Sequence, residues 1–332
     1  MRAVVVRQWT KPEDLKVESV PVVDPGPGQV RIAIHAAGLN FADTLMVQGK
    51  YQEKPPFPFS PGLEAAGEVE AAGEGVTDLK EGDRVMALTG HGGFAERCVV
   101  DAVRVLKIPA SMGYVDAAAF PVAYGTSHVA LRHRGHLCQD ETLVVHGAAG
   151  GVGLTAVQIG KVIGARVIGT ARGQEKLAIA QANGAEETID YSEEDVRQRV
   201  LDITDGKGAN VIYDPVGGDM FDISLRCIAW EGRLLVIGFA TGRIPQAPAN
   251  YLLLKNAAAV GVFWGAYMKK DPSVIVRSFE ELMGWYDEGL LSPHISATFD
   301  LEETPAAMEM LLARKSTGKI VVTTGITADG LV

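Results

Sequence analysis

The chain is short of what disulfide frameworks, metal sites and membrane spans require. Its 332 residues hold three cysteines, Cys98, Cys138 and Cys227, far apart and with no Cys-x-x-Cys among them. That excludes a disulfide framework and a zinc ribbon, and it fits a reducing cytoplasm. The histidines are scattered, and none pairs at metal spacing. No apolar run is long enough to cross a bilayer, and Met1–Gln8 holds too short a one for a signal peptide, so a cytoplasmic location is expected. Positive charge is scarce as well. The net charge of −10 disfavours binding to nucleic acid or acidic membranes, and only Arg132-His133-Arg134 and Lys269-Lys270 form small basic clusters. There is no Gly-x-Ser-x-Gly elbow, no fixed-period repeat and no low-complexity linker.

What is present is a soluble globular composition, 47% hydrophobic and 22% charged, with length enough for two domains. The most informative stretch is 142–172. Thr142–Val145 reads as a buried strand, Gly147, Gly150, Gly151 and Gly153 crowd the turn after it, and Leu154–Ile163 has helical spacing capped by Gly164. Ala165–Thr170 reads as a second buried strand. Strand, glycine turn, helix and strand form a dinucleotide-binding unit, in which small residues admit a pyrophosphate and the helix N–H groups point at its charge. The usual Gly-x-Gly-x-x-Gly stands here as Ala148-Ala149-Gly150-Gly151-Val152-Gly153. The alternative is a plain glycine-rich turn. The second strand ends Gly169-Thr170-Ala171-Arg172, with Lys176 a helical turn on and no carboxylate before Glu175. A hydroxyl and two cations suit a 2′-phosphate, which predicts NADPH; the alternative is that Arg172 and Lys176 are solvated surface charges.

Residues 1–122 read as β-rich, with short strands from Ala3–Arg7 to Arg104–Lys107 and the turn Asp24-Pro25-Gly26-Pro27-Gly28, which suggests a small barrel. Residues 123–264 alternate strand and helix in the doubly wound manner, with ligand expected along the carboxyl ends of the strands. From 265 to 332 the tail, including an amphipathic helix Ser273–Glu288 and strands Ile295–Phe299 and Lys319–Thr323, is expected to return to the first domain. The fold class is therefore α/β, a Rossmann domain (123–264) inserted in a discontinuous β-barrel domain (1–122 and 265–332). Trp230, Trp285 and Phe279 sit at core spacing. The strand Ala258-Val260-Val262 is apolar and falls at a sheet edge, which predicts edge-to-edge pairing in a homodimer.

Nearly the whole chain resembles the medium-chain dehydrogenase/reductase superfamily, and within it the zinc-free quinone oxidoreductase (zeta-crystallin-like) branch. The matching stretches are Pro27-Gly28-Gln29-Val30, Gly38-Leu39-Asn40-Phe41-Ala42-Asp43, Pro61-Gly62-Leu63-Glu64-Ala65-Ala66-Gly67, Gly82-Asp83-Arg84-Val85 and His146 to Gly153. The resemblance implies a GroES-like catalytic domain around the Rossmann domain. The zinc branch carries a cysteine ligand near Gly38-Leu39-Asn40 and a histidine ligand before Glu64. Neither is here, Leu63 precedes Glu64, and the four-cysteine lobe is missing, so no zinc is expected and Glu64 reads as structural.

Without a metal to polarise a carbonyl, the acceptor is expected to take hydride readily, as quinones and α,β-unsaturated carbonyls do, and the site needs hydrogen-bond donors. The resemblance points to Asn40, Asp43 and Tyr51. Asn40 can donate an amide N–H, Tyr51 its phenol, and Asp43 can orient either or cap a helix. Leu45 stands where relatives often carry a second tyrosine. The alternative for Tyr51 is a rim tyrosine of the loop 50–59. For the cofactor, Thr126 matches a position near the nicotinamide, with a self-bonded threonine as the alternative. Gly150, Gly151, Val152 and Gly153 hold the pyrophosphate, and Thr170, Lys176 and Tyr191 match the 2′-phosphate and adenine region. Gly238, Phe239 and Phe263 lie at strand ends. Lys319 is read as a cofactor contact from the tail or, equally, as a strand-edge charge. The expected function is NADPH-dependent hydride transfer to a small-molecule quinone or enone. The alternatives are an enoyl-thioester (2-enoyl-CoA) reductase and, from another class, a non-catalytic NADPH-binding structural or RNA-binding protein.

Overall fold

In the computed structural model, which describes residues 1–327 and 330–331, the chain separates into two units. The first comprises Met1–Val122 and Pro293–Val332, the second Ala123–Ser292.

The first unit opens with a hairpin of β1 (Arg2–Val5) and β2 (Lys16–Ser19). Its organising strand is β3 (Gln29–Leu39), buried along nearly all its length. Helix α1 (Phe41–Val47) follows directly. The strands β4 (Glu64–Ala72), β5 (Arg84–Ala87), β6 (Arg97–Asp101) and β7 (Val105–Lys107) and helix α2 (Tyr114–Ala119) complete the N-terminal part. Two strands of the C-terminal segment, Ile295–Asp300 and Lys319–Thr323, join the same sheet, and Lys319–Thr323 pairs antiparallel with the end of β3. That sheet has seven strands and is antiparallel apart from the C-terminal pair. Val4, Ile32, Ile34, Val85, Phe94, Ile320 and Val322 fill its core. The C-terminal strands Ile295–Asp300 and Lys319–Thr323 lie in the first unit.

The second unit carries a fully parallel six-stranded sheet. In chain order its strands are β8 (Thr142–His146), β9 (Arg166–Ala171), β10 (Glu187–Asp190), β11 (Ala209–Asp214), β12 (Ile228–Val236) and β13 (Ala258–Gly261). In space they run β10-β9-β8-β11-β12-β13, the doubly wound order that reverses beside the first strand. Val144, Ile168, Ile212 and Leu234 pack under Phe221 and Leu225 of the helix Asp219–Cys227.

Two expectations are corrected. The return at residue 265 comes too early, because the helix Pro272–Asp287 belongs to the second unit. His128 anchors it there: the imidazole meets Glu281 at 2.8 Å and Ser278 at 2.9 Å, and packs against the Trp285 ring. Trp230 is not core. It lies in β12 and is 61% exposed, whereas Phe279 is buried. No helix among the described residues is long and apolar enough to cross a membrane.

Candidate active site

The second unit presents its loops at the carboxyl ends of the parallel strands. After β8, Gly147 turns with φ +61°, and its carbonyl accepts the Gly150 N–H at 2.9 Å. The helix Gly151–Ile163 then begins, and its first-turn N–H groups have no intrahelical partner, as at any helix start. Gly153 is obligatory. A Cβ there would stand 2.1 Å from the Gly147 carbonyl oxygen. Ala148 explains the departure from the usual glycine pattern: its methyl fits because the facing residue of β9 is Gly169, whose own Cβ would lie 3.0 Å from it. Beneath the turn is a buried polar knot that the sequence did not announce. Ser127 Oγ donates to the Val152 carbonyl at 2.8 Å and lies 2.8 Å from Thr155 Oγ1 and 2.9 Å from the Tyr213 hydroxyl. Thr126, its neighbour in the chain, is half-buried.

At the end of β9 the residues expected to read a 2′-phosphate divide. Arg172 is exposed and makes no ion pair among the described residues, and Lys176 stands half-buried one helical turn on. The turn between them is held from β10, where Asp190 accepts the Gly173 N–H at 2.9 Å. Tyr191 follows, 40% exposed, with its N–H on the Ala171 carbonyl. Thr170 is a correction. It is wholly buried, and its hydroxyl faces His146 Nδ1 at 3.0 Å, so it is not presented to a ligand. The His146 tautomer follows from its other side: Ser224 Oγ donates to the Met220 carbonyl, so it accepts from His146 Nε2–H at 2.7 Å, and Nδ1 accepts from Thr170. Burial holds this imidazole below the usual histidine range, although Asp214 pulls the other way. On the other side of β8, Asp214 caps the loop after β11 by accepting from Val216 and Gly217, both at 2.9 Å. Gly238 and Phe239 lie against that loop, and Phe263 follows β13, half exposed.

In the first unit, Asn40, Asp43 and Glu64 come together with Lys319. Asn40 is the N-cap of α1, and its N–H donates to Asp43 Oδ2 at 2.8 Å. Asp43 Oδ1 accepts from Gly62 N–H at 3.2 Å. Burial pushes the Asp43 carboxyl up to about 7, against the opposing pull of those N–H groups and of Lys319. The Lys319 ammonium is a second correction to the expected cofactor set. It is neither a cofactor contact nor a strand-edge charge, since its donors go to Leu39 O at 2.8 Å, Asn40 Oδ1 at 2.7 Å and Glu64 Oε1 at 2.8 Å. Tyr51 is half-buried on the neighbouring loop, and its hydroxyl has no hydrogen-bond partner among the described residues. Burial first, then Glu53 and Asp43, raise its pKa, so the phenol keeps its proton at neutral pH. In the same unit Trp9, Phe57 and Phe59 form a ring cluster. Burial pushes the Cys98 and Cys227 thiols up to about 12, and both stay protonated.

Two family models match the chain. The alcohol dehydrogenase GroES-like domain covers residues 26–110, and the zinc-binding dehydrogenase domain covers residues 151–284. A quinone oxidoreductase-like protein 2 homolog of Nematostella vectensis is 47% identical over 97% of this chain and 89% of its own length. The chain belongs to the quinone oxidoreductase branch of the medium-chain dehydrogenase/reductase superfamily. Solved structures of that branch share its fold. The quinone oxidoreductase of Pseudomonas syringae pv. Tomato is 34% identical, with a TM-score of 0.91 over 97% of this chain and 99% of that one. The Escherichia coli quinone oxidoreductase complexed with NADPH is 28% identical, with a TM-score of 0.90 over 98% of this chain and 100% of that one.

One family name implies a metal. Zinc takes about four N, S or O ligands. Here Glu64 is bound to Lys319, Asn40 and, through Oε2, to the Val122 N–H at 2.7 Å. Among the described residues no group of three or more His, Cys, Asp or Glu side chains converges. The residues present do not fit a zinc ion.

Proposed function

We propose that this chain is an NADPH-dependent oxidoreductase that reduces a quinone or a related α,β-unsaturated carbonyl. The observation that carries the reading is the pairing of a glycine-lined backbone turn and helix start after β8 with Arg172 and Lys176 at the end of β9, the position from which this fold reaches a ribose 2′-phosphate. The NADPH in the Escherichia coli relative's structure supports it. In this reading Gly150 to Gly153 hold the pyrophosphate, Arg172 and Lys176 the 2′-phosphate, and Tyr191 the adenine. Thr126, Gly238, Phe239 and Phe263 line the nicotinamide side.

The bound cofactor supplies the hydride. The residues of the first unit act on the acceptor, whose oxygen gains negative charge. Two donors suit it. Tyr51 offers a protonated phenol with no hydrogen-bond partner among the described residues, and Asn40 offers an amide N–H. Asp43 fixes the backbone of Asn40 and so orients that donor. The unpaired side of β13, with Leu253 and Leu254 70% or more exposed on the preceding helix, supports a homodimer through that edge. Sedimentation velocity at micromolar concentration is expected to show the dimer, and a monomer there would remove it.

The test is a fluorescence titration with NADPH and with NADH, followed by NADPH consumption with a simple quinone and with crotonyl-CoA. Preferential NADPH binding and turnover of the quinone are expected. Turnover of crotonyl-CoA alone would replace the quinone by an enoyl thioester. Binding without turnover of either, with a salt-sensitive RNA shift, would replace the enzyme by a binding protein.

A further inference from the structure

Asn40 is half-buried, yet almost all of its polar atoms are engaged. Its Oδ1 accepts from the Lys319 ammonium at 2.7 Å, and its Nδ2 donates to Glu64 Oε1 at 2.8 Å. Lys319 and Glu64 close the ring as an ion pair at 2.8 Å, their side chains 6% and 0% exposed. The pair is itself anchored, Lys319 on the Leu39 carbonyl and Glu64 on the Val122 N–H. Charge sets the sense of the amide. Turned over, its NH2 would face the ammonium and its oxygen the carboxylate, two repulsive contacts in a dry site. One N–H is held loosely. It lies against the Gly38 carbonyl at 3.4 Å, long for a hydrogen bond and exchangeable for a better acceptor.

We propose that Lys319 and Glu64 are positioning residues for Asn40, an internal ion pair that fixes the amide so that its loosely held N–H is the one offered to the acceptor oxygen. The proposal rests on the reading of Asn40 as a donor to the acceptor. Neither charged group touches substrate. Their effect reaches the reaction through the carboxamide alone, and this separates them from an ion pair that serves only to hold the strand Lys319–Thr323 against the end of β3.

A double-mutant cycle makes the distinction. Lys319→Met, Asn40→Ala and the double variant are compared by kcat at saturating NADPH, with the melting temperature and NADPH affinity followed in parallel. Lys319→Met is expected to lower kcat about tenfold or more on the wild-type background and to have no further effect on kcat once Asn40 is alanine. Effects that multiply would overturn the proposal. Should Lys319→Met fail to fold, Glu64→Gln, which keeps the shape and removes the charge, enters the same cycle with the same expectation. If the wild-type chain turns over no quinone, the functional reading fails, and positioning is read from the 15N side-chain amide signals of Asn40, identified by their loss in Asn40→Ala. Lys319→Met is expected to shift them and speed their exchange with water, and unchanged signals would overturn the proposal.

Discussion

The two units prepare for a ligand in opposite ways. The second offers backbone: a turn and a helix start kept bare by Gly153, with the side chains of Ser127, Thr155 and Tyr213 hidden beneath as support. The first offers side chains, and the amide of Asn40 is held by Glu64 and Lys319 from distant parts of the chain. The backbone site therefore depends on atoms that are missing, and the side-chain site on partners that are present. Adding a methyl should damage the backbone cradle, and deleting a buried charge should damage the first-unit site.

The largest effect expected on this comparison is from Lys319→Met. It strands a buried carboxylate, which costs about 3–5 kcal/mol of stability in such sites, visible as a lowered denaturant midpoint. A loss below about 1 kcal/mol would mean that Glu64 finds water or another partner. Next comes Arg172→Ala. Loss of a charge-assisted contact costs about 1.5–3 kcal/mol, so NADPH should bind roughly tenfold or more weakly while NADH is unaffected. Gly153→Ala meets a backbone oxygen rather than a flexible side chain, and overpacking of that kind costs about 1–3 kcal/mol. NADPH and NADH affinities should fall together, and equal affinity in variant and wild type would contradict the cradle. The smallest effect is expected of Thr170→Val. It removes a buried hydrogen bond to His146, worth about 1 kcal/mol, and leaves the preference for NADPH unchanged. A changed preference would restore Thr170 to the cofactor.

A pH dependence sharpens the contrast, since Asp43 belongs to the side-chain site. Its carboxyl titrates at about 7 in the fold and near about 3.9 in the unfolded chain. Between those values the folded state holds one proton more. Stability contributed by the neutral group is therefore complete below about 4 and is lost as pH rises through about 7. Asp43→Asn should remove that part of the slope, so that denaturant midpoints at about pH 5 and about pH 8 differ less than in the wild type. Equal slopes would place the Asp43 pKa in the ordinary carboxylate range.

The parts of the molecule that are local in the chain were legible from it. The strand–turn–helix of 142–172, the parallel order of the second unit and the glycine cradle follow from periodicity and punctuation within a few tens of residues. The first-unit site was legible only as separate residues. Asn40 and Asp43 could be named, but the ion pair that joins Glu64 to Lys319 spans 255 positions, and no spacing signals it. Thr170 was misplaced because alternation along a buried strand does not say which face a hydroxyl serves, and here a buried histidine claims it. The second boundary was set too early for a similar reason. The helix Pro272–Asp287 is amphipathic either way, and long-range contacts, among them those of His128 some 150 positions earlier and of Arg132, decide which unit it joins.

The most direct test of the central claim is a paired titration of NADPH and NADH against the wild-type chain and an Arg172→Ala/Lys176→Ala variant. If the end of β9 reads the 2′-phosphate, the wild type prefers NADPH by about tenfold or more and the variant binds both alike, with NADH affinity unchanged. A wild type that prefers NADH, or a variant that keeps the NADPH preference, would contradict the account.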